Sequence, residues 1–134
     1  LQATSGSTNA IVHLAAIAGR AGIPYDLEEL DAVGRDVPVL LDLKPAGNNF
    51  MEDFHSGGSL PALWRRLKDH LDLNAKTVNG ETIGQIIARW PAYVDDKIIR
   101  PLDNPLVKNE AIAILKGNLA EEGAVAKITG VKEE

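Results

Sequence analysis

The chain has 134 residues, enough for one domain's core, and its 45% hydrophobic and 25% charged content is ordinary for a globular protein. A balance of 19 acids against 14 bases, net −5, excludes a nucleic-acid grip driven by counterion release, and the lack of cysteine excludes a disulfide framework, a thiolate metal site or a thiol nucleophile within these residues. No apolar run approaches the ~20 residues that span a bilayer and no stretch reads as a signal peptide, so the expected setting is the cytoplasm, with neither nucleic acid nor membrane as partner.

Ser5-Gly6-Ser7-Thr8-Asn9 runs directly into Ala10 to Ala21, where only His13, Gly19 and Arg20 interrupt an apolar run. A helix that is apolar nearly all round is expected to be buried, and its small, hydroxyl-rich start suits an N-cap. Gly22 and Pro24 stop it. Such a helix at the edge of a domain predicts that these residues were cut from something longer; a gene starting here would refute that. Asp26, with Glu29 three residues on, reads as a capping box opening a short helix closed by Gly34, with Leu27, Leu30 and Val33 as its apolar face. Val37 to Leu43 is an apolar run of strand length, placed by Pro38 at a strand start or sheet edge.

Lys44 to Asn49 is a loop by composition, and Phe50 to His55 reads as one or two helical turns stopped by Gly57-Gly58. Ser59 is expected to cap an amphipathic helix with Leu60, Leu63, Trp64, Leu67 and Leu71 on one face. Arg65, Arg66, Lys68 and Asp69 fall opposite, and Pro61 sits in the tolerant first turn. Asn79-Gly80 signals a tight turn after Thr77-Val78, and Thr82 to Trp90 is a second amphipathic helix ended by Pro91. Tyr93 to Lys108 is irregular. Ala111 to Lys116 and Ala124 to Thr129 read as strands separated by Gly117 to Gly123, and Lys132 to Glu134 are expected to fray. A lone strand pair is marginal in water, so the tail, like the head, looks like part of something larger. The fold class is mixed α/β: a mostly helical first two-thirds around a buried N-terminal helix, short strands, and a strand-bearing tail.

Among candidate chemical groups, His13 within the apolar helix reads as a core histidine before a catalytic one. Glu52, Asp53 and His55 have types that suit a metal or acid–base work, but their i, i+1, i+3 spacing favours a solvated turn. His70, Arg65, Arg66 and Lys68 read as surface. Ser5 to Asn9 is the best candidate, since four polar residues in five exceed what a cap requires; a carboxylate or phosphate on the helix's free first-turn N–H groups, and structure alone, are both open.

Seven stretches stand in order: Ser5 to Ala10 running into Val12-His13-Leu14; Asp42 to Gly47; Met51 to His55 with Gly57-Gly58 and Leu60-Pro61-Ala62; Thr77 to Gly80; Ile99 to Pro105; Leu115 to Ala120; and Gly123 to Gly130. Together they resemble the dihydroxy-acid and sugar-acid dehydratase family, which includes 6-phosphogluconate dehydratase. The resemblance implies a fragment of a larger two-domain enzyme, with residues 1–95 closing an N-terminal α/β domain and 96–134 forming the connection and first strands of a C-terminal barrel-like domain. It implies a hydro-lyase that converts 2,3-dihydroxy acids to 2-keto acids, in branched-chain amino-acid biosynthesis or sugar-acid metabolism. In that family the 3-hydroxyl leaves with help from an iron–sulfur cluster, and magnesium helps hold the substrate.

The cluster's cysteines would lie before Leu1, and the base and most magnesium ligands outside this segment. No catalytic residue and no metal ligand is therefore carried over, and the segment alone is expected to bind neither cofactor and to be inactive. Ser7, Thr8 and Asn9 are the substrate-binding candidates, with His13 or Lys44 as weaker neighbours. Ile99 to Pro105 resembles the pentonate branch and Ala126 to Gly130 the branched-chain branch, so the substrate stays open. Expected partners are a small hydroxy acid, the rest of the polypeptide and further copies in a homo-oligomer. The alternative is a free-standing, non-catalytic α/β binding or interaction domain that keeps the scaffold.

Overall fold

The structure, a computed structural model, describes residues 1–131; the expected fraying of Lys132 to Glu134 lies outside them. Its described elements are helices α1 (Asn9–Arg20), α2 (Leu27–Arg35), α3 (Met51–Ser56), α4 (Ser59–Arg66) and α5 (Ile83–Arg89), then strands β1 (Ile112–Gly117) and β2 (Ala120–Lys127). The mixed α/β class is as expected. Two compact units divide the chain: Leu1–Val39 together with the residues from Val107 onward, and Leu40–Leu106 between them.

In the first unit β1 and β2 pair antiparallel, Ile112 opposite Lys127 and Leu115 opposite Ala124. The loop expected over Gly117 to Gly123 is a correction: Gly117 pairs with Ala120, leaving a two-residue turn, and the register slips between Leu115 and Gly117. β2 absorbs the slip in a bulge where Gly123 takes φ +100°, a conformation that side chains disfavour. Ile11, Val39, Ala111 and Ile112 are buried together, with Tyr25, Leu27, Leu30 and Val125 packed around them.

The buried N-terminal helix is also a correction. Ile11 is the one fully buried residue of α1, while Val12 and Ile17 are 67% and 65% exposed. Helical geometry lets one stripe reach the core, and no described element covers the other sides. In α2, Asp26 caps as expected, accepting from Glu28 N at 2.8 Å, but the expected capping box with Glu29 does not form. Val33 is exposed rather than part of the buried face, and Gly34 lies inside the helix rather than closing it.

The edge of β1 that faces away from β2 is satisfied by side chains. Gln2, 7% exposed, donates from Nε2 to Ile112 O at 2.8 Å and accepts through Oε1 from Ala111 N at 3.0 Å and Ile112 N at 2.9 Å. Two residues along, Asp31 Oδ1 accepts from Ile114 N at 2.8 Å. Its Oδ2 takes Arg35 Nε at 3.0 Å and the terminal nitrogen at 2.5 Å. The Ile114 N–H, then Arg35, hold the Asp31 carboxyl below the usual aspartate range.

In the second unit the core is Leu40, Leu41, Ala62, Leu63, Leu67, Ile86, Ile98 and Ile99. The strand expected over Val37 to Leu43 is instead an extended, largely buried run with isolated bridges, Val39 to Val107, Leu41 to Ile99 and Leu43 to Asn49. Each bridge uses a different partner segment, so no continuous ladder forms. Gly58 (φ +119°) precedes α4, and Ser59 (φ +61°) is its first residue without a side-chain cap bond, a correction to the expected Ser59 cap. Thr82 caps α5 reciprocally: Gln85 N donates to Thr82 Oγ1 at 3.2 Å and Thr82 N to Gln85 Oε1 at 2.8 Å. Arg65, expected on a solvated face, closes the other end of α5, donating to the carbonyls of Ile87 (2.8 Å), Trp90 (2.9 Å) and Pro91 (3.0 Å).

Two outcomes follow for stability. A Cβ at Gly34 would sit 2.3 Å from Nε2 of the Gln2 carboxamide, a group that three hydrogen bonds hold in place. Gly34→Ala, worth up to ~1 kcal/mol in favour of a helix on propensity, is instead expected to destabilise by about 3 kcal/mol in urea denaturation, because it displaces a buried amide from its partners. Asp31's depressed folded pKa means its contribution is fully present above the unfolded value of about 3.9 and lost as pH falls through the lower folded one. Asp31→Asn should flatten the acid limb of the stability–pH curve below about pH 4 and leave its shape at neutral pH unchanged.

Candidate functional site at the start of helix α1

A short 3-10 turn, Gln2–Thr4, leads into Ser5, which takes the left-handed conformation (φ 49°, ψ 48°). Ser5 Oγ lies 2.6 Å from Thr129 Oγ1, and Lys127 Nζ donates to Ser5 O at 2.8 Å. At Gly6, which follows, a Cβ would lie 2.5 Å from Leu1 Cδ1, the movable end of a side chain. Ser7 is exposed and its Oγ accepts from Asn9 N at 3.2 Å. Thr8 is the N-cap residue of α1, half-buried, with a side chain that makes no cap bond. Asn9 is exposed in the first turn.

The main chain here is less available than its position suggests. Asn9 N is taken by Ser7 Oγ, Ala10 N by Ser7 O at 3.0 Å and Ile11 N by Thr8 O at 3.1 Å. The expectation of free N–H groups in this first turn is therefore corrected for those three. Two side-chain donors of the segment make no hydrogen bond among the described residues, the half-buried Thr8 hydroxyl and the exposed Asn9 carboxamide, and these suit a carboxylate by hydrogen bonding rather than by charge. Four polar residues in five are also now divided by role: Ser5 bonds Thr129, Ser7 caps, and Thr8 and Asn9 are left.

Other candidates fall elsewhere. His13 is exposed on α1 rather than in the core, because the helix turns only the Ile11 stripe inward. Lys44 belongs to the second unit, with Nζ 4.0 Å from the Phe50 ring centroid. The loop that carries it is built on Asp42, 5% exposed, whose Oδ1 accepts from Asn48 N at 2.8 Å. Asp53 is absorbed by capping α3, accepting from Phe50 N at 2.7 Å, and His55 Nδ1 lies 3.3 Å from Ser59 Oγ. Among the described residues no three His, Asp or Glu side chains gather as a metal would require.

Two hollows are lined by charged groups, most of them already engaged. One of about 580 Å³ includes Arg65, Arg66 and Asp103; another of about 420 Å³ includes Glu28, Asp31, Arg35 and Lys116. Arg66 pairs with Asp96 and Lys116 with Glu28. Neither hollow includes Ser7, Thr8 or Asn9. Sequence reading missed Gln2, Lys127 and Thr129 as neighbours of the segment. Their partners lie more than a hundred residues away, and no signal in the residues pointed to these contacts, although Lys127 and Thr129 fall in the resembling stretch Gly123 to Gly130.

Residues 1–86 match the model of the dihydroxy-acid/6-phosphogluconate dehydratase N-terminal region, and residues 97–134 match that of the C-terminal region. The chain is 44% identical over 136 residues to a dihydroxy-acid dehydratase of Synechococcus sp. (strain RCC307), covering 98% of this chain and 24% of that protein. It is 47% identical over 135 residues to an L-arabonate dehydratase of Azospirillum brasilense, covering 98% and 23%. It is 48% identical over 128 residues to a 6-deoxy-6-sulfo-D-gluconate dehydratase of Pseudomonas putida, covering 93% and 22%. The chain thus spans about a quarter of the length of the curated relatives it matches.

Proposed function

The chain belongs to the dihydroxy-acid/6-phosphogluconate dehydratase family, and from that premise we propose that it is an internal segment of a hydro-lyase converting a 2,3-dihydroxy carboxylic acid to a 2-keto acid. The observation that carries this is the match to both family regions in one chain, in order, with relatives named for dehydration of dihydroxy and sugar acids. In the overall reaction the C2 proton and the C3 hydroxyl leave as one water, and the resulting enol becomes the ketone. The relatives' substrates share a carboxylate next to a vicinal diol, and that shared unit is the substrate class proposed. The same reading sets the protein in the cytoplasm as a homo-oligomer.

Within this segment, Thr8 and Asn9 offer donors to the substrate carboxylate, and Ser7 fixes their backbone through Asn9 N. A hydroxyl and a carboxamide hold an anion without moving a proton, so these residues bind and orient. The residues of this chain do not fit an iron–sulfur cluster, because the sequence has no cysteine to ligate it, and none of its carboxylates is assigned here to magnesium. We assign both groups, and the base, to other parts of the polypeptide.

Purified without oxygen, the full-length protein should absorb in the visible and release a 2-keto acid from one class in a panel of branched dihydroxy acids and aldonic acids with magnesium. A colourless, folded and inactive protein would instead support the free-standing binding domain. Thr8→Val and Asn9→Ala should each raise KM about tenfold, the effect of one lost hydrogen bond to a charged group, with kcat within about twofold because binding is weakened uniformly.

A further inference from the structure

Resting on that reading of Ser7, Thr8 and Asn9, we infer that Lys127 and Thr129 are positioning residues for substrate binding: they clamp Ser5 and so set the direction in which the acid-binding segment leaves the 3-10 turn. Ser5 is a non-glycine residue at φ 49°, a conformation that persists only where the surroundings impose it. Both of its outward polar groups are taken from one direction. Lys127 Nζ donates to its carbonyl at 2.8 Å, and its hydroxyl lies 2.6 Å from Thr129 Oγ1. Locally, Ser5 N donates to Gln2 O at 3.0 Å and Gly6 N to Leu1 O at 3.2 Å. The backbone therefore enters Ser7 with little freedom.

The clamp is itself anchored. Lys127 ends β2 opposite Ile112 of β1. The turn carrying Thr129 is tied back by Ile128 N donating to Ala111 O at 2.8 Å. Ala111 N and Ile112 N are the groups that hold the Gln2 carboxamide. The strand pair thus grips the segment before Ser5 and at Ser5, and the residue that Lys127 holds stands three and four positions before the donors proposed for the carboxylate, Thr8 and Asn9. Residues matched to the family's C-terminal region in this way orient a segment matched to its N-terminal region. Neither Lys127 nor Thr129 needs to touch substrate.

The test uses the full-length protein and its 2-keto acid assay. Lys127→Met keeps the aliphatic stem and removes the donor; Thr129→Val keeps the shape and removes the hydroxyl. Each should raise KM for the hydroxy acid about tenfold with kcat within about twofold, as expected when one strong hydrogen bond that orders a binding loop is lost. Thr129→Ser, which restores the hydroxyl, should return KM to the parent value, and Lys127→Arg, which restores a cationic donor, should return most of it. A role in general stability alone would lower the melting temperature without this KM-specific change or its rescue. Unchanged KM in Lys127→Met and Thr129→Val, where Thr8→Val and Asn9→Ala raise it, overturns the clamp. Unchanged KM in all four overturns the acid-binding segment itself. Should Lys127→Met fail to fold, Thr129→Val against Thr129→Ser decides the matter alone.

Discussion

The first unit depends on how the outer edge of β1 is satisfied. A two-stranded sheet leaves one row of N–H and C=O groups on each side without a ladder partner, and burying such a row is costly. Here two side chains stand in for a third strand. The Gln2 carboxamide, a donor and an acceptor in one plane, matches the groups at Ala111 and Ile112, and the Asp31 carboxylate takes the next outward N–H at Ile114. That substitution lets Ala111 and Ile112 be buried against Ile11 and Val39. It also fixes Gly34, whose missing side chain is the space the Gln2 amide occupies.

The same constraint organises the candidate site. Gln2 precedes Ser5 by three residues, and the partner strand of β1 ends at Lys127, so the β1–β2 pair holds the start of the chain at two nearby points. The polar residues ahead of α1 are accordingly not equivalent. Ser5 is a structural anchor, Ser7 a cap, and Thr8 and Asn9 the remaining donors. Hydrogen bonding within the segment also explains why a helix N-terminus, the usual electrostatic argument for an anion, gives way here to side-chain donors.

Local signals were read well from the residues. The Asp26 cap, the Asn79-Gly80 turn, the amphipathic stripe of α5 and the two terminal strands all follow from contacts within a few positions, whereas α4 ends at Arg66, short of the expected Leu67 and Leu71, and leaves Leu60 exposed. What sequence could not supply was the identity of distant partners. Gln2 and Asp31 look like surface polar residues until the strand edge they serve is known. Val37 to Leu43 has the composition of a strand, but its three bridges go to three separate places. The expected burial of α1 rested on composition, and a helix surface can be apolar all round while one stripe alone meets a core. The hydroxyl-rich segment was legible as a place; the division of labour within it was not, because Lys127 and Thr129 lie 122 and 124 positions from Ser5.

The interrupted course of the first unit has a bearing on synthesis. Gln2 and Ile112 are 110 positions apart, so when the amide leaves the ribosome its partners do not yet exist, and water must satisfy it for the several seconds that translation of the intervening stretch takes, at ~5–20 residues per second. Leu40–Leu106, being continuous, can condense first. The strand pair arrives after it and closes a loop that already contains a folded body, which shortens the effective search and offsets part of the slow kinetics that such long-range pairing otherwise brings.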